Sequence, residues 1–221
     1  MSATRSPAHS PVCVLDVSPV VPVVVVEDVA TAVPLARALL AGGIGVVELT
    51  LRTPVALDAV RAVALEVPEI LLGVGTCTSA DDVARAVDAG AQFLVSPGTT
   101  RSLVEAARDR DVPLLPGVAT VSEALAALEL GIHELKFFPA QQSGGVPFLA
   151  ALRTVLPQVR FCPTGGISPA TAGEYLALSN VGCVGGSWLT PADALAAGDF
   201  ARVEELARAA VALRGATGAH G

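Results

Sequence analysis

The sequence predicts a single-domain α/β protein of the (βα)8 TIM-barrel class, and three observations support that prediction. Eight apolar runs rich in Val, Leu and Ile recur about 23 residues apart along the 221-residue chain. Ala- and Leu-rich segments separate them, and a strand, two turns and a three-turn helix together need about that length. The runs are mostly apolar throughout rather than alternating, which is typical of parallel strands buried on both faces.

The predicted strands cover residues 20–26, 45–52, 70–77, 92–97, 113–118, 133–138, 160–164 and 182–188. We expect the barrel domain at residues 19–214, between a flexible N-terminal segment at 1–18 and a flexible tail at 215–221. A doubly wound open sheet is the alternative. The Gly-x-Gly-x-x-Gly turn that would favour it does not follow the first strand.

Helix-start signals follow several of the strands. Ser79 precedes two aspartates, and Thr120 has a glutamate three residues later, which is the pattern of a capping box. Ser168 is followed by proline at the first helical position. With no linker-like stretch between them, these signals indicate one continuous series of βα units.

Composition argues against several classes of protein. Hydrophobic residues make up 52% of the chain, and a net charge of −7 disfavours a nucleic-acid surface, which needs a basic stripe. The mean hydropathy is +0.61. The longest apolar stretch, residues 17–26, nevertheless has only about half of the roughly 20 residues that cross a bilayer. Since the N-terminus has no signal-peptide pattern, we expect a cytoplasmic protein without nucleic-acid or membrane partners.

Metal and redox chemistry are not predicted. The four cysteines form no Cys-x-x-Cys pair, so reduced thiols are expected. Two of the three histidines, His9 and His220, lie near the chain ends, and His133 is at the start of the sixth strand. The predicted strand ends carry no cluster with metal-ligand spacing. We therefore expect no metal and no cofactor.

The sixth predicted strand contains the only lysine of the chain, Lys136. Alternation along a strand puts it on the same face as Glu134 and Phe138, close to the strand end where such barrels hold their active sites. An ordinary lysine is uncharged in only about 1 of 2,500 molecules at pH 7, so a nucleophilic amine needs a dry pocket. A neighbouring cation such as Arg52 would also favour the neutral form. We predict that Lys136 is a nucleophile and that Glu134 lies deeper, as a structural partner.

The second and third strands end in further polar residues. Alternation along the second strand places Glu48, Thr50 and Arg52 on one face. Burying a carboxylate and a guanidinium there costs free energy unless the two groups are paired or serve a function. A functional role is favoured over a structural ion pair. Thr76, after two glycines that allow close approach, offers a hydroxyl to a ligand, although a strand-end threonine can also serve packing alone.

Paired glycines follow the seventh and eighth strands, as Gly165-Gly166 and Gly185-Gly186-Ser187. Barrels of this class commonly bind phosphate at these two positions through backbone N–H groups and a helix N-terminus. The same glycines could instead only form tight turns. Their occurrence at both positions favours a phosphate site.

Several motifs, in this order, resemble the bacterial 2-keto-3-deoxy-6-phosphogluconate (KDPG) and 4-hydroxy-2-oxoglutarate (KHG) aldolase family. The likeness runs from about residue 20 to residue 214. Its segments include Glu-Leu-Thr-Leu-Arg at 48–52, Gly-Val-Gly-Thr at 73–76, Ser-Pro-Gly at 96–98, Lys-Phe-Phe-Pro-Ala at 136–140, Pro-Thr-Gly-Gly-Ile at 163–167 and Gly-Gly-Ser-Trp-Leu at 185–189.

The resemblance implies a class I aldolase of the Entner–Doudoroff pathway, a homotrimer that needs no cofactor. In such an enzyme Lys136 would form a Schiff base with the C2 ketone of a 2-keto acid phosphate, and Glu48 would take the C4 hydroxyl proton, through a water molecule. Arg52 and Thr76 would bind the substrate carboxylate. The residues implied for phosphate are Gly165, Gly166 and Ser187, and those implied for the pocket wall are Pro97, Phe138 and Thr164.

Other readings stay open at this point. One is an aldolase for the galactonate epimer, and another is a phosphate-binding barrel isomerase or epimerase, which would want metal-binding His and Asp at the strand ends. A catalytically silent sugar-phosphate binder would be expected to lack Lys136 or Glu48. Gln141, where relatives often carry Glu, departs from the family pattern, as do the valines at 24–26, where some relatives place Arg.

Overall fold

The computed structural model describes residues 13–216, as ten helices and nine strands within that range. The strands are β1 Val20–Val24, β2 Val46–Thr50, β3 Leu71–Gly75, β4 Phe93–Val95, β5 Leu114–Leu115, β6 Gly117–Val118, β7 Glu134–Phe137, β8 Arg160–Pro163 and β9 Val184–Gly186. The helices are α1 Val14–Val17, α2 Val29–Ala41, α3 Ala56–Glu66, α4 Ala80–Asp88, α5 Arg101–Asp109, α6 Val121–Glu129, α7 Gly145–Val155, α8 Pro169–Leu176, α9 Ala192–Ala197 and α10 Phe200–Ala216.

The strands form a curled parallel sheet, which confirms the α/β class. Six strands are hydrogen-bonded in the order β5-β4-β3-β2-β1-β9, and three in the order β6-β7-β8. Within each sheet the strands that follow one another in the chain are neighbours joined by a helix, as parallel connections require, and β9 adds to the sheet beside β1. The last strand lies beside the first, and two isolated bridges, Phe161 with Val181 and Thr164 with Gly185, link the β8 region to the β9 region.

The predicted strand at 113–118 is the one that the structure divides. Pro116 separates β5 from β6, because proline has no N–H to donate to a sheet ladder. Its carbonyl still accepts from the Lys136 N–H at 2.9 Å, so the chain stays beside β7 through the break. The other seven predicted strands are each present, shorter by one to four residues.

The helix-start predictions at Ser79 and Thr120 are confirmed. Ser79 Oγ accepts from the Asp82 N–H at 3.1 Å, and Asp82 accepts in return from the Ser79 N–H. Thr120 and Glu123 form the same reciprocal pair, at 3.2 and 2.9 Å. These bonds satisfy N–H groups that a helix start leaves without partners.

Helical structure extends into both of the segments predicted to be flexible, as far as the structure describes them. Residues 13–18 include α1, whose Val14 and Leu15 are buried in the core and whose Asp16 pairs with Arg160. At the other end α10 continues to Ala216. The rest of the predicted flexible segments, 1–12 and 217–221, lies outside the described residues. Among the helices described, none combines the length and apolarity that a bilayer crossing requires.

Candidate active site

Lys136 and Glu48 meet across the curled sheet. They come from β7 and β2, which are not neighbours, yet Lys136 Nζ lies 3.3 Å from Glu48 Oε1. Their side chains are 6% and 4% exposed. The ring of Phe138 lies 5.3 Å from the same nitrogen. On the opposite face of β7, Phe137 stacks on Phe148 of α7, as the alternation of a strand predicts.

A glycine in a flanking strand makes room for the carboxylate. Gly75 of β3 pairs with Thr50 of β2, and a Cβ built on it would lie 1.9 Å from Glu48 Oε1. Since real Cβ atoms do not approach so closely, any side chain at position 75 would displace Glu48. Beside β7, Gly117 is similarly confined, because its Cβ would lie 2.2 Å from the Pro97 carbonyl oxygen.

The pair can generate a neutral amine by transferring one proton. Two buried opposite charges stabilise each other only as a pair, because each is costly to bury alone. Glu48 Oε1 lies close enough to accept a proton from Lys136 Nζ. The transfer leaves an uncharged amine and an uncharged carboxylic acid, and both are easier to hold in a dry environment. The arrangement can therefore supply a nucleophile and an adjacent acid–base group.

A cavity of about 580 Å³ lies at the C-terminal ends of several of these strands. Six of the predicted site residues line it: Arg52, Phe138, Thr164, Gly165, Gly166 and Ser187. Lys136 and Glu48 are buried and are not among the lining residues. Phe138 connects the pair with the cavity, since it lines the cavity and also faces Lys136 Nζ.

Thr76 follows β3, the neighbour of β2, and Pro97 follows β4, and neither residue lines this cavity. Thr76, directly after β3, has φ +65°, a conformation that is rare for a β-branched residue. Such strain occurs preferentially at functional sites. Pro97 is exposed, after β4. Thr50, on the face of Glu48, donates instead to the Val24 carbonyl at 2.9 Å.

Four glycines give the cavity its backbone wall. Gly165 and Gly166 have φ +100° and +75°, which only glycine adopts readily. A Cβ on Gly185 would lie 2.2 Å from Thr164 Oγ1, and one on Gly186 would lie 1.8 Å from the Trp188 ring. Backbone N–H groups can therefore reach a ligand without intervening side chains, which is how anions are often bound.

Sequence reasoning missed most of the apolar lining of the cavity. The lining residues that it missed are Val23, Val25, Ile167, Trp188, Thr190, Pro191, Ala192 and Leu195, whereas Gly185 and Gly186 belong to the predicted glycine pairs. Trp188, the only tryptophan, follows the second glycine pair directly, and that position could have indicated its role. The segment at 190–195 gives no comparable signal, since it reaches the cavity only through the fold.

The contacts of Glu134 support the predicted structural role, but its side chain is 34% exposed and so lies no deeper than that of Lys136, which is 6% exposed. Its carboxylate accepts from Arg160 at 3.4 Å and from the Cys13 thiol at 2.7 Å, at the N-terminal end of β7. Within residues 13–216, His, Cys, Asp and Glu form no group of three that could hold a metal ion.

A lysine–carboxylate pair buried beside a glycine-walled cavity, at the C-terminal ends of parallel strands, defines a class of α/β enzyme that uses an amine nucleophile. The sequence profile of the KDPG and KHG aldolase family matches residues 13–206. The chain belongs to that family.

Individual relatives agree with this assignment. The chain is 54% identical to the KHG/KDPG aldolase of Escherichia coli K12, over 90% of this chain and 93% of the relative. It is 52% identical to the 2-dehydro-3-deoxy-phosphogluconate aldolase of Dickeya dadantii, over 90% and 93%. A solved KDPG aldolase from Legionella pneumophila, with pyruvate captured at low pH as a covalent carbinolamine intermediate, superposes with a TM-score of 0.87. It shares 47% identity, over 89% of this chain and 96% of that one.

Proposed function

We propose that the protein is a class I aldolase that cleaves 2-dehydro-3-deoxy-6-phosphogluconate to pyruvate and glyceraldehyde 3-phosphate. The observation that carries the proposal is the buried Lys136 Nζ, 3.3 Å from Glu48 Oε1 and beside the cavity. The names of the relatives support this substrate. The bifunctional name of the E. coli relative also supports cleavage of 4-hydroxy-2-oxoglutarate to pyruvate and glyoxylate.

In the first stage Lys136 becomes bonded to the substrate. Glu48 takes a proton from the Lys136 ammonium, and the free amine attacks the C2 ketone to give a carbinolamine. Glu48 returns the proton to the carbinolamine hydroxyl, which leaves as water. The product is an iminium ion, and Glu48 is again a carboxylate.

In the second stage the C3–C4 bond breaks. Glu48 takes the C4 hydroxyl proton through a water molecule, the C4 oxygen becomes an aldehyde, and the bonding electrons move to the iminium nitrogen. Glyceraldehyde 3-phosphate departs, and an enamine remains bonded to Lys136. Glu48 then protonates C3, and water hydrolyses the iminium to release pyruvate and Lys136. One carboxyl group therefore serves as acid and base in turn.

The anionic ends of the substrate are assigned to different walls. Arg52 and Thr76 bind the carboxylate, and the backbone N–H groups of Gly165, Gly166 and Ser187 bind the phosphate. The N-terminus of α8, which starts three residues after Gly166, adds a favourable dipole for the phosphate. Phe138 and Thr164, which line the cavity, are assigned to the remaining wall of the pocket together with Pro97, which does not line the cavity.

Borohydride reduction in the presence of pyruvate tests the proposal. We expect an adduct of reduced pyruvate on intact protein, mapped by peptide mass spectrometry to Lys136, and none in Lys136→Met. We also expect cleavage to persist in EDTA. Unmodified wild-type protein under trapping conditions, or an EDTA-inactivated enzyme restored by zinc or magnesium, would refute the Schiff-base mechanism.

The specificity, assembly and architecture form further parts of the proposal. The ratio of kcat/KM for the gluconate and galactonate substrates tests the choice of epimer. The family resemblance supports a cytoplasmic homotrimer, for which light scattering should give about three times the 22.2 kDa chain mass. The bridges between the β8 and β9 regions, and the pairing of β9 with β1, support a closed (βα)8 barrel in which β5 and β6 form one strand.

A further inference from the structure

Gly165 and Gly166 form a loop of two glycines, the residue type with the greatest backbone freedom. Both residues have positive φ angles and neither has a side chain that could anchor the loop. Several N–H groups bind one anion well only when they point at the same place, so the loop conformation matters for affinity. Whatever packs against the loop must therefore fix it.

Gln141 packs directly against this loop. A Cβ built on Gly166 would lie 2.6 Å from Gln141 Cβ, so the Gln141 side chain fills that side of the glycine. The backbones are also joined, because the Gln141 N–H donates to the Gly165 carbonyl at 3.1 Å and the Ala140 N–H to the Thr164 carbonyl at 2.8 Å. Residues 140–141 follow β7, so the loop rests on the segment that continues from the Lys136 strand.

Tyr175 in turn holds Gln141. Its hydroxyl donates to Gln141 Oε1 at 3.0 Å, and the tyrosine is only 1% exposed. The ring is fixed in the core, whereas Gln141 is exposed and would otherwise be free to change rotamer. Tyr175 belongs to α8, the helix that begins just after the loop. The contact thus joins the segment before the loop to the helix after it.

We propose that Tyr175 and Gln141 are positioning residues for the N–H groups of Gly165 and Gly166. This inference rests on the proposed function, because it takes these amides as the site of the substrate phosphate. Neither residue lines the cavity, and neither contacts Lys136 or Glu48 through any hydrogen bond described for residues 13–216. Their effect should therefore be confined to the phosphorylated half of the substrate.

The experiment compares Tyr175→Phe, Gln141→Leu and the double variant in two assays. For each single variant we expect KM for 2-dehydro-3-deoxy-6-phosphogluconate to rise about 3- to 10-fold, the range that one lost hydrogen bond gives. The pyruvate concentration that half-saturates borohydride trapping should stay within about 2-fold of wild type. The double variant should show no larger rise than the worse single variant, because both changes remove one contact. Glu205→Gln, the same kind of change at an exposed position on α10, is the control and should not raise KM.

The outcomes separate this inference from the proposed function. The inference is overturned if KM is unchanged in both single variants, or if the rise in the double variant equals the product of the two single rises. It is also overturned if the variants weaken pyruvate trapping as much as they raise KM for the phosphorylated substrate. If Tyr175→Phe fails to fold, Gln141→Leu at the exposed position decides the matter alone. A wild-type protein that neither cleaves the substrate nor traps pyruvate refutes the proposed function, before any variant is made.

Discussion

The two ends of β7 carry ion pairs of almost equal length in very different surroundings. At the N-terminal end Arg160 lies 3.4 Å from Glu134, and toward the C-terminal end Lys136 lies 3.3 Å from Glu48. The first pair is 38% and 34% exposed, the second 6% and 4%. The distance alone therefore does not distinguish a structural pair from a reactive one, whereas the environment does.

The N-terminal pair is part of a larger network that fixes α1. Arg160 also binds Asp16, and its hydrogen bonds lower the pKa of Asp16 to about 2. Burial, together with the hydrogen bond to Glu134, raises the pKa of Cys13 to about 12, so this thiol stays protonated and unreactive. The charges and the thiol in this network are thus engaged in holding the structure together.

The Lys136–Glu48 pair differs because both of its charges are buried, and each would be costly to bury without the other. Replacing a buried ion pair with apolar residues is often neutral or stabilising, so stability alone gives little reason to keep one. Under the proposed function the reason is chemical, since the same proximity allows the proton to move between Nζ and Oε1. Four experiments test this contrast.

The largest effect is expected when methionine replaces the cation of the buried pair, and the same replacement in the exposed pair serves as the comparison. Lys136→Met should lower kcat/KM by at least about 10⁴-fold, as loss of a nucleophile does. Arg160→Met should instead lower the free energy of unfolding by about 1 kcal/mol and leave kcat of the folded protein within about 2-fold. Steady-state kinetics measures kcat and KM of each variant, and urea unfolding measures its free energy of unfolding. A large loss of kcat in a well-folded Arg160→Met variant would erase the distinction between the two ends.

Glu48→Gln should have the next largest effect, because glutamine keeps the shape but cannot take a proton. We expect turnover to fall about 10²- to 10⁴-fold, the usual contribution of a general acid–base group. Pyruvate adduct formation should fall much less. The two rates are measured on the same preparation by product assay and borohydride trapping. An equal fall in both would remove the role of Glu48 in bond cleavage.

Gly75→Ala tests the space that the carboxylate occupies. The new methyl group would meet Glu48 Oε1 at 1.9 Å and must push it aside. We expect kcat to fall about 10- to 100-fold, since a displacement of about 1 Å can cost that much. The matched control is Gly173→Ala, where a Cβ meets nothing within 4 Å and kcat should not change. Equal kcat for Gly75→Ala and wild type would mean that Glu48 does not need its observed position.

The smallest effect concerns the pH dependence of the N-terminal network. Because the folded state lowers the pKa of Asp16, its ionised form stabilises the protein above about pH 4, and this stabilisation is lost as the pH falls toward 2. Asp16→Asn should lower the free energy of unfolding by about 0.5 kcal/mol at pH 7, since Asp16 is more than half exposed. Urea unfolding between pH 7 and pH 2 should show this difference from wild type shrinking as the pH falls. A difference that grows on acidification would contradict the assignment.

Much of the molecule followed from local pattern. Each of the eight apolar runs contains strand residues, and the two capping boxes lie at the helix starts that Ser79 and Thr120 indicated. The structural role of Glu134 also followed from its place on the strand. Helix α1 did not, because its four residues carry no periodic signal and it is held by contacts with Arg160 and Arg214, far away in the chain.

Sequence by itself determined which strand residues share a face and which side chains could perform chemistry. Alternation along a strand and the presence of a single lysine can both be read without knowing the fold. Tertiary structure decided which of those side chains meet. The 3.3 Å contact between Lys136 and Glu48 joins residues 88 positions apart. The contact of Tyr175 with Gln141, and the placing of Trp188 beside the glycines, likewise depend on how the sheet curls. Such distances are set by the packing of whole elements, and no short stretch of sequence encodes that packing.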